Sequence, residues 1–172
     1  MAHSEHRPVL RGTDVAMLLR QAASQLAPAA AARMLVYVVD ANERCLAAVD
    51  QNMLHRALAS LLQSAFEAVP DRGTVRVTLR ATVHDFTIAI HDSGPGVPPD
   101  LAVTRALVEP HEGRVAVSRS DLDGNCVQLT LPRRPRVMRE PSSELAGAVA
   151  TRHTSTNDVS ALRNAGSSTV PK

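Results

Sequence analysis

The stretch from Asp50 to Val69 sets the tightest constraint on this chain. Leu54, Ala57, Leu58, Leu61, Leu62, Ala65 and Phe66 recur there at spacings of three and four. That repeat turns one continuous apolar stripe to a single side of a helix. Such a stripe needs a surface to cover it. Pro70 and the Asp71-Arg72-Gly73 turn end the helix, and the pattern then changes to a period of two. Thr74–Arg80 alternates cleanly, so one of its faces is wet, and Phe86–His91 follows after a turn at His84 and Asp85. An amphipathic helix beside half-apolar strands predicts layers.

The rest of the chain extends that pattern. Thr13 or Asp14 caps a helix running to about Leu26, with Val15, Leu18, Leu19, Ala22 and Leu26 on its apolar side. Pro28 and an alanine stretch follow. Met34–Val39 is a β-branched run read as a strand, and Cys45–Val49 is a second short one. Asp92-Ser-Gly-Pro-Gly-Val-Pro-Pro99 is a rigid loop, and Asp100 caps a helix over Leu101–Glu109. Arg114–Ser118 and Cys126–Leu131 form a last pair around the Asp121–Asn125 turn. Helices interleaved with paired strands predict a two-layer α/β sandwich, a mixed β-sheet with helices packed on one face. Residues 1–12 read as a flexible N-terminus and 13–132 as the domain. Residues 133–172, rich in Arg, Pro, Ser, Thr and Asn, read as a basic, mostly disordered tail.

Composition removes several function classes. Aromatic residues are 2% of the chain, which argues against stacking platforms for single-stranded nucleic acid. A net charge of +2 is too small for a general nucleic-acid binder. Lys172 is the only lysine, so no phosphate-loop, Schiff-base or kinase-strand lysine exists in the body. Cys45 and Cys126 stand 81 positions apart without metal-ligand spacing, and read as buried reduced thiols rather than a zinc site. The longest apolar stretch, Leu26 to Val39, is broken by Arg33 and falls short of the roughly 18 residues of a membrane span. With no apolar signal segment near Met1, the expected place is cytoplasmic.

Three segments, in order, resemble one family. Ser60-Leu-Leu-Gln-Ser-Ala-Phe-Glu-Ala68 resembles the N box of the GHKL, or Bergerat-fold, ATPases, and Asp92-Ser-Gly-Pro-Gly-Val97 matches their Asp-x-Gly-x-Gly box. Leu101 to Val115, containing Glu109-Pro-His111, resembles the helix and strand that follow the ATP lid in sensor histidine kinases. Asp50 and Leu54 fall where that family enters its N-box helix. The resemblance covers about residues 13–132. It implies the histidine-kinase-like ATPase fold, with ATP and Mg²⁺ as the ligands. It further implies that Asp92 accepts from the adenine amino group, with Gly94 and Gly96 allowing close backbone approach. Ser60, Ser64 and Glu67 share a helix stripe at i, i+4 and i+7. By the same resemblance that stripe faces the nucleotide, Ser64 stands at the Mg²⁺-ligand position, and Glu67 is the candidate catalytic acid.

The departures are equally specific. Both N-box asparagines are serine here, and a hydroxyl is a poorer Mg²⁺ ligand than an amide carbonyl. Only Pro98, Pro99 and Asp100 separate Val97 from Leu101, where the family carries a long lid and a second glycine box whose backbone N–H groups wrap the phosphates. Asp100 at a helix start repels phosphate. The expectation is a degenerate ATP-binding domain in two-component phosphorelay signalling, with weak or no turnover. Its expected partner is a response regulator, or a separate histidine phosphotransfer or dimerisation protein. The alternatives are a non-catalytic module docking a response regulator and an anti-sigma-factor-like regulator. Oligomeric state is not readable from the sequence.

Overall fold

The computed structural model describes residues 7–96 and 99–134 of the 172. The tail from residue 135 onward lies outside the described residues. In chain order the elements are β1 (Arg11–Asp14), α1 (Val15–Ser24), α2 (Ala27–Ala32), β2 (Val36–Asp40), β3 (Leu46–Val49), α3 (Gln51–Ala68), β4 (Thr74–Ala81), β5 (Asp85–Asp92), α4 (Ala102–Val108), a 3-10 turn (Glu109–His111), β6 (Arg114–Arg119) and β7 (Asn125–Pro132). Five strands make one mixed sheet in the order β2-β4-β5-β7-β6, and β1 pairs with β3 in a separate two-stranded sheet. The β2–β4 pair is parallel and the other pairs are antiparallel.

The expected stripe is the centre of the core. α3 buries all seven expected residues and Met53 as well. Strand alternation presents Val75, Val77 and Leu79 of β4, Phe86, Ile88 and Ile90 of β5, and Val127, Leu129 and Leu131 of β7 to the same core. Each such side chain is worth about 1.5–3 kcal/mol relative to exposure. Aromatic packing is confined to Tyr37 edge-on to Phe66, with ring centres 4.9 Å apart. The Tyr37 hydroxyl donates to Ala23 O at 3.1 Å, and burial pushes its pKa up to about 12.

Aspartates cap α1 and α3. The Asp14 carboxylate accepts from Ala16 N (3.1 Å) and Met17 N (3.3 Å) at the start of α1. Asp50 does the same for α3 through Asn52 N (3.0 Å) and Met53 N (3.1 Å), and its other oxygen takes Val9 N at 2.8 Å. A cap of this kind contributes about 1 kcal/mol. At the next helix the structure departs from the expected Asp100 cap: the N-cap of α4 is Leu101, and the Asp100 carboxylate accepts from Ala102 N at 2.9 Å from one residue farther back. His111 is buried and fully used. Its Nε2 accepts from Asp50 N at 3.0 Å, and its Nδ1 bonds Leu107 O at 2.9 Å.

Some elements arise only from tertiary pairing. β1 is a polar tetrapeptide held extended by its partner, from Arg11 against Val49 to Asp14 against Leu46. The alanine stretch forms the short helix α2, with Pro28 in the first turn where its missing N–H costs nothing. β2 starts at Val36 rather than Met34, because Met34 adopts a left-handed φ of 52°.

Two arginines join elements across the domain. Arg33, which interrupts the apolar run, caps the far end of α3: it donates to Phe66 O (2.6 Å), Val69 O (2.5 Å) and Asp71 Oδ1 (2.9 Å). Arg33→Met keeps the aliphatic stem but strands those carbonyls. We expect it to lose about 2 kcal/mol in urea unfolding. Arg133, the first residue of the basic tail by composition, bridges the two sheets. Its N donates to His84 O (2.7 Å) and its O accepts from Ala48 N (2.8 Å), while its guanidinium reaches Leu46 O and Thr82 O, each at 3.0 Å.

Candidate functional site

Where α3 crosses the ends of β5 and β7, a cavity of about 310 Å³ opens. This is near the lower end of the usual size for small-molecule sites, about 300–1,000 Å³. α3 contributes Leu61, Ser64, Ala65, Glu67 and Ala68; the strands contribute Ile90, Asp92, Asn125 and Val127; Pro95 and Pro99 of the loop close it over. The result is an apolar slot with few polar groups in it.

Asp92 is the one carboxylate at its base. It is the last residue of β5 and is 4% exposed. Its Oδ1 accepts from Gly94 N (2.9 Å) and Asn125 N (3.2 Å). Two backbone donors therefore fix the orientation of the carboxylate. Among the described residues no donor reaches Oδ2, so that atom is the one available to a ligand.

The glycines shape this corner. A Cβ on Gly94 would lie 2.7 Å from Ala68 O, so the loop crosses directly over the end of α3 only because none is there. Gly96 has a φ of +76°, which favours glycine, and packs against the Arg119 guanidinium. Gly124, in the β6–β7 turn, is the tightest: a Cβ there would lie 2.2 Å from Asp92 Oδ1 and 2.3 Å from Asp92 O.

The structure brings Asp92, Ser64 and Glu67 to one cavity, with Gly94 bonded beside it. Ser60 lies one turn back along α3 and does not line the cavity, and neither does Gly96. Ser64 is half-buried on the wall. Glu67 stands exposed at the rim, its Oε1 accepting from Gln63 Nε2 at 3.0 Å. Asn125, Gly124 and the two prolines are site residues that sequence reading missed. The Asp123-Gly124 pair signals a turn but gives no sign that the turn folds onto a strand end 33 residues away.

The donor set separates the two ends of a nucleotide. A flat heteroaromatic base bearing an N–H fits an apolar slot with an oriented carboxylate. Among the described residues no cationic side chain lines the cavity, and the other polar side chains are Ser64, Glu67 and Asn125. Among the described residues no group of three His, Cys, Asp or Glu could hold a metal ion. The described lining offers a purine an apolar slot with a carboxylate, and offers a phosphate end hydroxyl, amide and carboxylate groups.

Comparison with known proteins agrees with this geometry. A family model described as histidine kinase-, DNA gyrase B- and HSP90-like ATPase matches residues 49–135. The adaptive-response sensory kinase SasA of Prochlorococcus marinus (strain MIT 9313) is 30% identical over 109 residues, covering 48% of this chain and 30% of that protein. Sporulation kinase A of Bacillus subtilis (strain 168) is 25% identical over 105 residues, covering 49% and 17%. The chain thus spans less than a third of the length of these relatives. In fold, the nucleotide-free catalytic domain of the histidine kinase ThkA superposes with a TM-score of 0.68 at 17% identity, over 73% of this chain and 98% of that one. ThkA in complex with the response regulator protein TrrA gives 0.67 at 16% identity, over 72% and 42%. Members of this family bind ATP with Mg²⁺ in general. The chain belongs to the histidine kinase-, DNA gyrase B- and HSP90-like ATPase family, in its sensor-kinase-like form.

Proposed function

We propose that this domain acts in two-component phosphorelay signalling as a histidine-kinase-like module that binds the purine part of a nucleotide and turns ATP over weakly or not at all. The observation that carries this reading is the cavity itself: one oriented carboxylate, Asp92, in an apolar slot with no cation among the described residues of its walls. Adenine would lie between Ala65 and Ala68 on one side and Val127 on the other, with its amino group on Asp92 Oδ2. Ser64 and Glu67 are the residues left to meet a metal, and a hydroxyl with one exposed carboxylate is a weak site for Mg²⁺.

Titration calorimetry with adenosine, ADP and ATP, with and without Mg²⁺, tests this. The three ligands should bind within about tenfold of one another, equivalent to about 1.4 kcal/mol, and Mg²⁺ should add little. Asp92→Asn keeps an acceptor for Gly94 and Asn125 but turns a donor toward the base. It should weaken all three by roughly ten- to a hundredfold, the value of a hydrogen bond to a charged group. Absence of heat with every ligand, in wild type and variant alike, removes the reading.

A second reading is a docking module for a receiver domain, independent of nucleotide. The short Val97–Leu101 connection favours it, since only Pro98, Pro99 and Asp100 stand in the sequence where the family carries its long lid. ThkA, a protein of the same fold, is known in complex with a response regulator. Capture of a receiver domain to the same extent with and without adenosine or ATP supports docking. Capture that requires nucleotide favours the first reading.

A further inference from the structure

Behind the cavity, on the face of the sheet opposite α3, Arg76, His91, Cys126 and Ser118 are successive cross-strand partners on β4, β5, β7 and β6. Alternation along each strand puts Asp92 and Asn125 toward the cavity and their neighbours His91 and Cys126 toward this opposite face. The His91 ring joins both sides of this face. Its Nε2 lies 3.5 Å from Cys126 Sγ, and its Nδ1 is hydrogen-bonded to Ser120 Oγ at 3.3 Å, with Asp121 Oδ1 also 3.3 Å away. Asp121 comes from the β6–β7 turn and is clasped in turn by Arg76 Nη2, at 2.5 and 2.7 Å to its two oxygens. Gln128 Nε2 approaches the sulfur at 3.8 Å.

The order is thiol, imidazole, hydroxyl, carboxylate. Ser120 Oγ donates to Asp121 Oδ1 at 3.4 Å and so accepts from His91 Nδ1–H, which leaves Nε2 as the ring's acceptor, facing the thiol. This is the arrangement in which a base takes a nucleophile's proton while a third group orients the base. Cys45 is the internal contrast. It is also buried, and burial pushes its thiol pKa up; among the described residues no histidine contacts it.

We propose that Cys126 is a modification site, a base-assisted thiol that reacts with small hydroperoxides. The thiol proton passes to His91 Nε2. The sulfur then attacks one peroxide oxygen, forming an S–O bond as the O–O bond breaks. The leaving hydroxide takes the proton back from the imidazolium and departs as water. Sulfur is oxidised by two electrons to sulfenic acid and the peroxide is reduced by two. Cys126 is 2% exposed and the His91 side chain 19%, so hydrogen peroxide, the smallest of the class, is the reactant for this buried thiol.

The full chain treated with hydrogen peroxide and a sulfenic-acid-trapping dione, then mapped by mass spectrometry, tests this. Label is expected on Cys126 at least about tenfold faster than on Cys45, the lower end of what a positioned base supplies being about a hundredfold. His91→Gln should slow Cys126 labelling at least about tenfold while leaving Cys45 unchanged, which also reports that the fold is intact. Asp121→Asn, on the exposed turn, should slow it by a smaller factor. Equal labelling of the two cysteines, no label on Cys126, or an unchanged rate in His91→Gln overturns the proposal.

Discussion

Gly124→Ala should cost about 3 kcal/mol of stability and abolish ligand binding in the cavity. The added methyl would sit 2.3 Å from Asp92 O and 2.7 Å from Gly94 N. Those are backbone atoms of a central strand and its loop, and they cannot swing aside as a side-chain tip would. Either the β6–β7 turn lifts or the end of β5 bends. Both movements break the Asn125 N to Asp92 Oδ1 bond that orients the carboxylate. Overpacking in a closed site of this kind typically costs about 1–3 kcal/mol, and backbone opposition places this case at the top of that range. Urea unfolding should show a lower midpoint with an unchanged slope. Gly12→Ala is the matched control: nothing lies within 4 Å of its Cβ position, and its change should stay within about 0.5 kcal/mol.

His111→Phe should cost a similar amount, about 3 kcal/mol, for a different reason. The ring volume is retained, but Asp50 N–H and Leu107 C=O both lose their buried partner, at roughly 1–3 kcal/mol each. The same residue makes stability depend on pH. Burial is the main cause that holds the His111 pKa below its ordinary value, outweighing the opposing pull of the Leu107 carbonyl and the Asp50 charge. The unfolded chain therefore takes up this proton first as pH falls. The His111 contribution is complete above about pH 6.5 and is lost as pH drops through the lower folded value. Asp50 acts in the same direction at lower pH. Burial opposes its charged form, but the amides of Met53, Val9 and Asn52 overcome that and hold its pKa below the usual carboxylate value. Its contribution is present above about pH 4 and is lost below. Stability measured from about pH 7 down to about pH 5 should decline in the wild type and stay flatter in His111→Phe. Parallel curves would show that another group sets the slope.

Periodicity was readable wherever one face of an element meets the core. The α3 stripe, the alternation of β4 and the capping role of Asp14 are local patterns, and each is present in the structure, whereas Asp50, the first residue of the long helix by its sequence pattern, is its cap. That Asp92 and the Ser64–Glu67 stripe face one site is an implication of the family resemblance, and the cavity is lined by all three. What stayed hidden depends on register between distant segments. Asn125 meets Asp92 across 33 positions, and His111 meets Asp50 across 61. Nothing in the composition near Asn125 marks it as part of a pocket. β1 was illegible because Arg11-Gly-Thr-Asp14 has no strand preference of its own; its partner imposes the extended shape. Arg33 looked like a flaw in an apolar run, although it satisfies the carbonyls at the end of a helix 33 residues away.

The seam at Arg133 has a consequence for how the domain can be trimmed. A fragment stopped at Pro132 would keep every rung of the larger ladder yet lose the stitch to Ala48 and Leu46. The small β1–β3 sheet would then hang by its own flanking residues, fraying first under protease. A fragment carried on through Arg134 keeps that stitch, so the useful cutting point lies past the change in composition rather than on it.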